Sequence, residues 1–206
     1  GCGGTILRFI QEGYQVHWLI VTDMSVTSGF SLSDIKKRDK EIKKVFEAYQ
    51  FSSLHRLRFP PAQLETIPKR ELIKAISRVM FQIKPSQVFT PYRNDVHSDH
   101  EIVFDLVTSV TKVFRYPFVK KIYAYETISE TDFGMKPEDR GFRPNVFINI
   151  DKYIEKKLLI LEIFETEIED FPFPRSKKAV DALASIRGVQ AGTLAAEAFM
   201  LLKEVR

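Results

Sequence analysis

A single cysteine, Cys2, excludes an intramolecular disulfide framework and a thiolate metal cluster. No apolar run approaches the ~20 residues needed to span a bilayer. The longest, residues 16–22, has the length of a buried strand. There is no basic-then-apolar leader pattern, and with the lone cysteine this points to a reducing, cytoplasmic setting. Internal repeats, low-complexity tracts and Pro/Gly/Ser linkers are also missing. Neither sign of charge dominates: 31 Lys and Arg against 27 Asp and Glu give +4. That excess tolerates an anionic or sugar-phosphate ligand but is too weak to argue for nucleic acid. Histidine is scarce, at four residues, so two of them within four positions stand out.

The 206 residues suffice for one large domain with a sizeable core. The pattern alternates strands with helices. Gly3-Gly4-Thr5 opens a short helix stopped by Gly13, and residues 14–22 (YQVHWLIVT) read as a buried strand. Ser33 or Asp34 is expected to cap a helix reaching residue 49. A strand at 54–59 precedes a helix at 69–82, introduced by Pro68. Further strands are expected at 87–90, 121–126 and 145–150. Helices are expected at 98–114, from a cap at Asp151 to about residue 170, and at 176–186. Residues 194–202 remain open between states. Residues 127–144 form a loop long enough to suggest function, either as a lid or as an insertion. Such alternation gives an α/β fold with a Rossmann-like, mainly parallel sheet flanked by helices. Ligands of such sheets sit beyond the carboxyl ends of the strands. Asp23, the 91–97 loop and the segment after Glu126 all fall at those ends.

Residues 91–100 (PYRNDVHSDH) hold two histidines, two aspartates and an arginine. His97 and His100 are three apart, so at a helix start they can face one side. Neutral imidazoles and carboxylates are metal-site chemistry when each is oriented by a further partner. Asp99, between the two, could orient one ring. Ser98 and Glu101 also fit a capping box without any functional role, but two histidines do not follow from capping, because protonated histidine is disfavoured at a helix N-terminus.

The ordered set of motifs resembles the LmbE/PIG-L family of zinc-dependent N-deacetylases. Its features here are Gly-Cys-Gly-Gly-Thr (1–5), Val21-Thr-Asp23, Arg38 with Glu41, Pro91, His97-Ser-Asp-His100, Tyr125-Glu126, Phe142-Arg-Pro-Asn145, Arg187-Gly188 and Ala196-Glu-Ala-Phe199. They cover essentially the whole chain, read as one domain over 1–206. The resemblance implies a hydrolase that removes acetyl from a GlcNAc-type amino sugar, a small-molecule substrate. The implied cofactor is Zn2+ or another divalent metal, and homo-oligomers are common in the family. It makes His100 a zinc ligand, His97 an oxyanion or proton-transfer partner and Asp99 their support. Arg38 becomes a substrate contact and Arg93 a further candidate for sugar or phosphate contact, while Glu126, at a strand end, either meets a sugar hydroxyl or bonds a loop amide. The family's His-Pro-Asp-Asp-Glu segment, which carries the other zinc ligands and the general base, precedes the Gly-Gly-Thr helix and does not occur in residues 1–206. The expectation is that it lies upstream with the first strand, and that residues 1–206 alone bind zinc poorly and are inactive.

Two rival readings follow. One is a non-catalytic module of the same family that binds sugars or partners. The other is an NAD(P)-binding oxidoreductase, with Gly1-Cys-Gly3 opening a helix and Asp23 as the ribose acid. In the second, the third glycine of the fingerprint would fall at Ile6, and the paired histidines go unexplained.

Overall fold

In the computed structural model, residues 1–135 and 140–206 are described. The elements in chain order are α1 (Gly3–Gln11), β1 (His17–Thr22), α2 (Leu32–Tyr49), β2 (Ser53–Phe59), α3 (Lys69–Ile83), β3 (Gln87–Pro91), α4 (Ser98–Ser109), β4 (Lys121–Tyr125), β5 (Val146–Asn149), α5 (Ile154–Leu161), α6 (Lys177–Ala191) and β6 (Ala196–Glu204). Short 3-10 turns interrupt the loops, among them Thr131–Phe133. The fold is mixed α/β. β1 and β2 form one sheet, and a second has the order β3-β4-β6-β5. β3 and β4 are parallel, with Phe89 opposite Tyr123 and Pro91 opposite Tyr125. β6 runs antiparallel to β4, with a bulge between Ile122 and Tyr123. No helix among the described residues is long and apolar enough to cross a membrane.

The chain divides into two compact units. The first comprises Gly1–Leu19, Met24–Leu54 and Phe147–Ala198; the second comprises Ile20–Asp23, His55–Val146 and Phe199–Arg206. In the first unit, Leu7, Val45 and Ile160 bring α1, α2 and α5 onto one core, with Trp18 and Tyr49 packed around it. Ile150, Ala184 and Ala195 make a second cluster that seats α6. α1 starts against a buried carboxylate: Glu197 accepts from the Gly4 N–H at 2.9 Å and the Thr5 N–H at 2.7 Å, and Lys157 Nζ lies 2.8 Å from its Oε1. The helix N-terminus, with its unpaired N–H groups and positive dipole end, is where an anion is best tolerated. In the second unit, Leu72, Ile76, Leu106 and Val110 are buried on α3 and along and just beyond α4. Phe89 stacks on Tyr123 across the strands, with Phe199 edge-on to both.

Several element bounds differ from the sequence expectation. α2 is capped by Ser31, two residues early; its Oγ accepts the Asp34 N–H. α4 stops at Ser109, short of residue 114. There the Ser109 and Thr111 hydroxyls bond back to the Asp105 and Val107 carbonyls, within a β-branched stretch that propagates helix poorly. Asp151 does not cap a long helix: its carboxylate accepts from the Ala195 N–H and the Asn149 side chain. α5 is correspondingly short. The acidic residues after it are drawn outward, Glu162 to Lys177, Glu165 to Lys37 and Glu167 to Arg38 and Arg175. Acids at a helix C-terminus also oppose its dipole. Residues 136–139, part of the expected lid or insertion, lie outside the described residues.

Gly188 on α6 allows a close approach. A Cβ there would stand 2.6 Å from the Leu194 carbonyl oxygen and 2.7 Å from that of Thr193. Backbone of the turn into β6 cannot retreat as a flexible side chain could. Gly188→Ala is therefore expected to cost about 2 kcal/mol, within the range for overpacking, read as a lower midpoint in denaturant unfolding. An unchanged midpoint would show that the turn yields.

Candidate functional site

The second unit brings the 91–100 motif together. β3 ends at Pro91, and the following turn delivers Asp95 to a buried position at 2% exposure. His97 then takes the N-cap of α4 with extended backbone (φ −74°, ψ 120°), and its Nδ1 accepts the Asp99 N–H at 3.1 Å. The cap is His97, not Ser98. Glu101 meets Arg93, 3.1 Å away. Because His97 Nδ1 accepts, a neutral ring carries its hydrogen on Nε2 and is a donor there.

His100, one turn into the helix, has the complementary arrangement. Its Nδ1 lies 2.7 Å from Asp95 Oδ2. A carboxylate only accepts, so Nδ1 carries the hydrogen and Nε2 of the neutral ring keeps its lone pair. The two rings stack with centroids 5.2 Å apart and an interplanar angle of 18°. One exposes a donor and the other a lone pair, which is a division of labour suited to acyl chemistry.

The carboxylate that orients an imidazole is thus that of Asp95, five residues before His100, rather than Asp99. Asp99 is also buried, but it accepts from the Ala62 N–H at 2.8 Å and the Leu64 N–H at 3.4 Å. It ties the turn after Pro60-Pro61 to the first turn of α4. Nothing in the sequence marked Asp95 above Asp99. The only signal was a second aspartate in the loop before the histidines. Asp95 Oδ1 in turn accepts from the Thr131 hydroxyl at 2.6 Å.

Arg93 is half-exposed and bridges to Glu101 and Asp105 on α4, both at 3.1 Å. Glu126 is buried directly after β4. Asp23 receives a bidentate pair from Arg56 at 2.5 and 2.6 Å, so the carboxylate that a dinucleotide ribose would need is already engaged. Arg38 belongs to the first unit, where it meets Glu41, Glu167 and Thr166 and lies over the Phe164 ring. Cys2 precedes α1 without a capping bond from its side chain. Its surroundings, chiefly through desolvation, push the thiol up to about 11, so it stays protonated and unreactive.

The donor set tests whether a metal fits. His100, with Nδ1 held by a buried carboxylate, has the carboxylate–histidine arrangement that typically supports a metal-bound imidazole. It fits one ligand position. Among the described residues, no group of three or more His, Cys, Asp or Glu side chains is placed to hold a metal ion.

These features define a mixed α/β protein with an oriented imidazole pair just beyond the carboxyl end of a parallel strand, where open α/β sheets hold their ligands. Residues 1–111 match the family model of GlcNAc-PI de-N-acetylase, PIG-L, and the chain belongs to that family. Solved structures share the fold. A conserved protein of Thermus thermophilus superposes with a TM-score of 0.78 at 21% identity, over 100% of this chain and 90% of that one. The N,N'-diacetylchitobiose deacetylase of Pyrococcus horikoshii, in complex with an inhibitor, gives 0.77 at 18% identity, over 98% of this chain and 78% of that one. The zinc-inhibited form of a teicoplanin deacetylase gives 0.70 at 14%, over 97% and 91%.

Proposed function

We propose that this chain is an N-deacetylase, an amide hydrolase that removes acetyl from an N-acetylated amino sugar of the GlcNAc type. The observation that carries the reading is the imidazole pair in complementary hydrogen-bonding states, on a chain of the PIG-L family. The similar structures of an N,N'-diacetylchitobiose deacetylase and a teicoplanin deacetylase support the reaction class.

In this reading His100 Nε2 would hold one position on zinc or another divalent metal. Such a metal, when bound, supplies Lewis-acid activation. The work of this chain's own residues follows from their geometry. His97 Nε2–H donates to the acetamide carbonyl oxygen and strengthens that bond as negative charge develops, the kind of preorganised donor worth roughly 3–4 kcal/mol. With Nδ1 taken up by the Asp99 N–H, the hydrogen of a neutral His97 ring stands on Nε2, which makes that nitrogen the donor. Asp99, by holding the Ala62–Leu64 turn to α4, keeps the His97 cap in register. Arg93 contacts sugar hydroxyls or a phosphate, and Glu126 accepts from a sugar hydroxyl.

The test is acetate release from N-acetylglucosamine derivatives by the intact protein, with metal content measured in parallel. His100→Ala is expected to abolish turnover and lower bound metal. Unchanged activity and metal content in that variant would sink the site assignment. Sugar binding without acetate release by the wild type would favour a binding module.

A further inference from the structure

The Asp95 carboxylate has two described side-chain partners on opposite oxygens, and they come from different segments. His100 Nδ1 meets Oδ2, and the Thr131 hydroxyl meets Oδ1. Thr131 sits in the turn Thr131–Phe133 that follows β4. Its Oγ1 already accepts the Thr127 N–H at 2.8 Å. With that role taken, the hydroxyl hydrogen points at Asp95, and the 2.6 Å separation is in the range of a charge-assisted O–H···O− bond. The same segment is pinned again at the Val96 N–H, which donates to the Glu130 carbonyl at 3.2 Å. A Cβ on Gly134 would stand 2.9 Å from the Asn94 carbonyl. The segment after β4 therefore lies directly on the 94–96 turn, and one buried carboxylate is its polar link to His100.

We infer that Asp95 and Thr131 are positioning residues: Asp95 holds the His100 ring with hydrogen on Nδ1 and lone pair on Nε2, and Thr131 couples that state to the docking of residues 127–131. Thr131 fixes the plane of the carboxylate, because a carboxylate bound on only one oxygen can turn about its last bond. Asp95 in turn gives the Thr131 hydroxyl its acceptor, which keeps Oγ1 aimed at Thr127. Coupling of this kind is reciprocal: a change at either end must be felt at the other. The relevance for chemistry rests on the proposed hydrolase reading, but the coupling itself does not.

The experiment uses the intact protein and reads both ends of the link, so that each substitution is also followed at the end it does not contact. Imidazole 1H–15N spectra, recorded above the ring's titration range, report which nitrogen of His100 carries hydrogen. Amide hydrogen exchange reports the Thr127 and Val96 N–H groups. In the wild type, His100 is expected in the Nδ1–H form with both amides protected. Asp95→Ala should shift the ring to the Nε2–H form and speed exchange at Thr127 about tenfold, the scale for losing a hydrogen bond to a charged group. Thr131→Val, which keeps the side-chain shape, should broaden or split the His100 ring signals and speed exchange at Val96. Thr131→Ser, which restores the hydroxyl, should return both to wild-type values. The inference is overturned if Thr131→Val leaves the His100 signals unchanged, if Thr131→Ser fails to restore them, or if Asp95→Ala retains the Nδ1–H form. Because none of these readouts requires turnover, a protein that releases no acetate can still pass them, and an active one can fail.

Discussion

Glu197→Ala is expected to destabilise the protein by about 3–5 kcal/mol, the range for removing one partner of a buried charge pair. Glu197 is 4% exposed and takes three hydrogens, from the Gly4 and Thr5 N–H groups and from Lys157. Its loss leaves two helix-end N–H groups without their acceptor and a mostly buried ammonium without its counter-charge. Domains are stable by only about 5–15 kcal/mol, so the effect is a large share of the total. At roughly 2–4 °C per kcal/mol for a chain of this size, the Tm should fall by about 6–20 °C. Adding Lys157→Met to Glu197→Ala should recover part of the loss, since the orphaned charge goes with it. The acid limb gives a second check. Burial on its own would raise the Glu197 carboxyl, but Lys157 and the Thr5 N–H outweigh it and hold the group below its ordinary value. A carboxyl lowered by folding contributes stability above its unfolded pKa of about 4.3, and that contribution is lost as pH falls through the lower folded value. The Glu197→Gln variant should therefore show a flatter stability curve below about pH 4. A loss under about 1 kcal/mol for Glu197→Ala would mean that water replaces the carboxylate at the α1 start.

Replacing His97 should separate capping from catalysis. His97 carries two roles on two nitrogens: Nδ1 caps α4, and Nε2–H is the proposed donor to the carbonyl oxygen. Asparagine is among the best N-cap residues, and alanine among the poor ones. His97→Asn should keep the wild-type Tm to within about 2 °C, because its side-chain oxygen can take the Asp99 N–H in place of Nδ1. It should still lose about 10²–10³ in kcat, as for removal of one oxyanion donor, because the short side chain offers nothing where Nε2–H stood. His97→Ala should lose the same turnover and about 1 kcal/mol of stability besides. KM should change little in both, since the interaction strengthens in the transition state. An Asn variant that retains kcat within tenfold would remove His97 from the chemistry and leave it as a cap.

The sequence was most legible where local chemistry decides the outcome. Pro68 and the apolar spacing of Leu72, Ile76, Val79 and Met80 located α3 nearly to its ends. The β-branched and aromatic stretches located β1, β3 and β4. It was least legible where distant partners decide. The acids after α5 read as more helix until Lys37, Arg38, Arg175 and Lys177 are seen to draw them away. β6, left open between states, becomes a strand because β4 offers its free edge. At the site, the paired histidines were visible, but their roles as cap and oriented ring were not. The choice of Asp95 over Asp99 as the imidazole partner depends on how the turn after β3 folds back. The nearer aspartate is claimed by the Ala62 and Leu64 amides, 37 and 35 residues away.

The bond between Glu197 and the start of α1 also sets an order of events during biosynthesis. The two partners are 193 residues apart. At about 5–20 residues per second, ribosomes take roughly 10–40 s to reach the second after the first. Throughout that interval α1, only nine residues long, lacks the carboxylate that stabilises its first turn, and a helix this short is marginal alone in water. The first unit therefore cannot finish folding while the chain is growing through its middle. It must wait for β6 to be made.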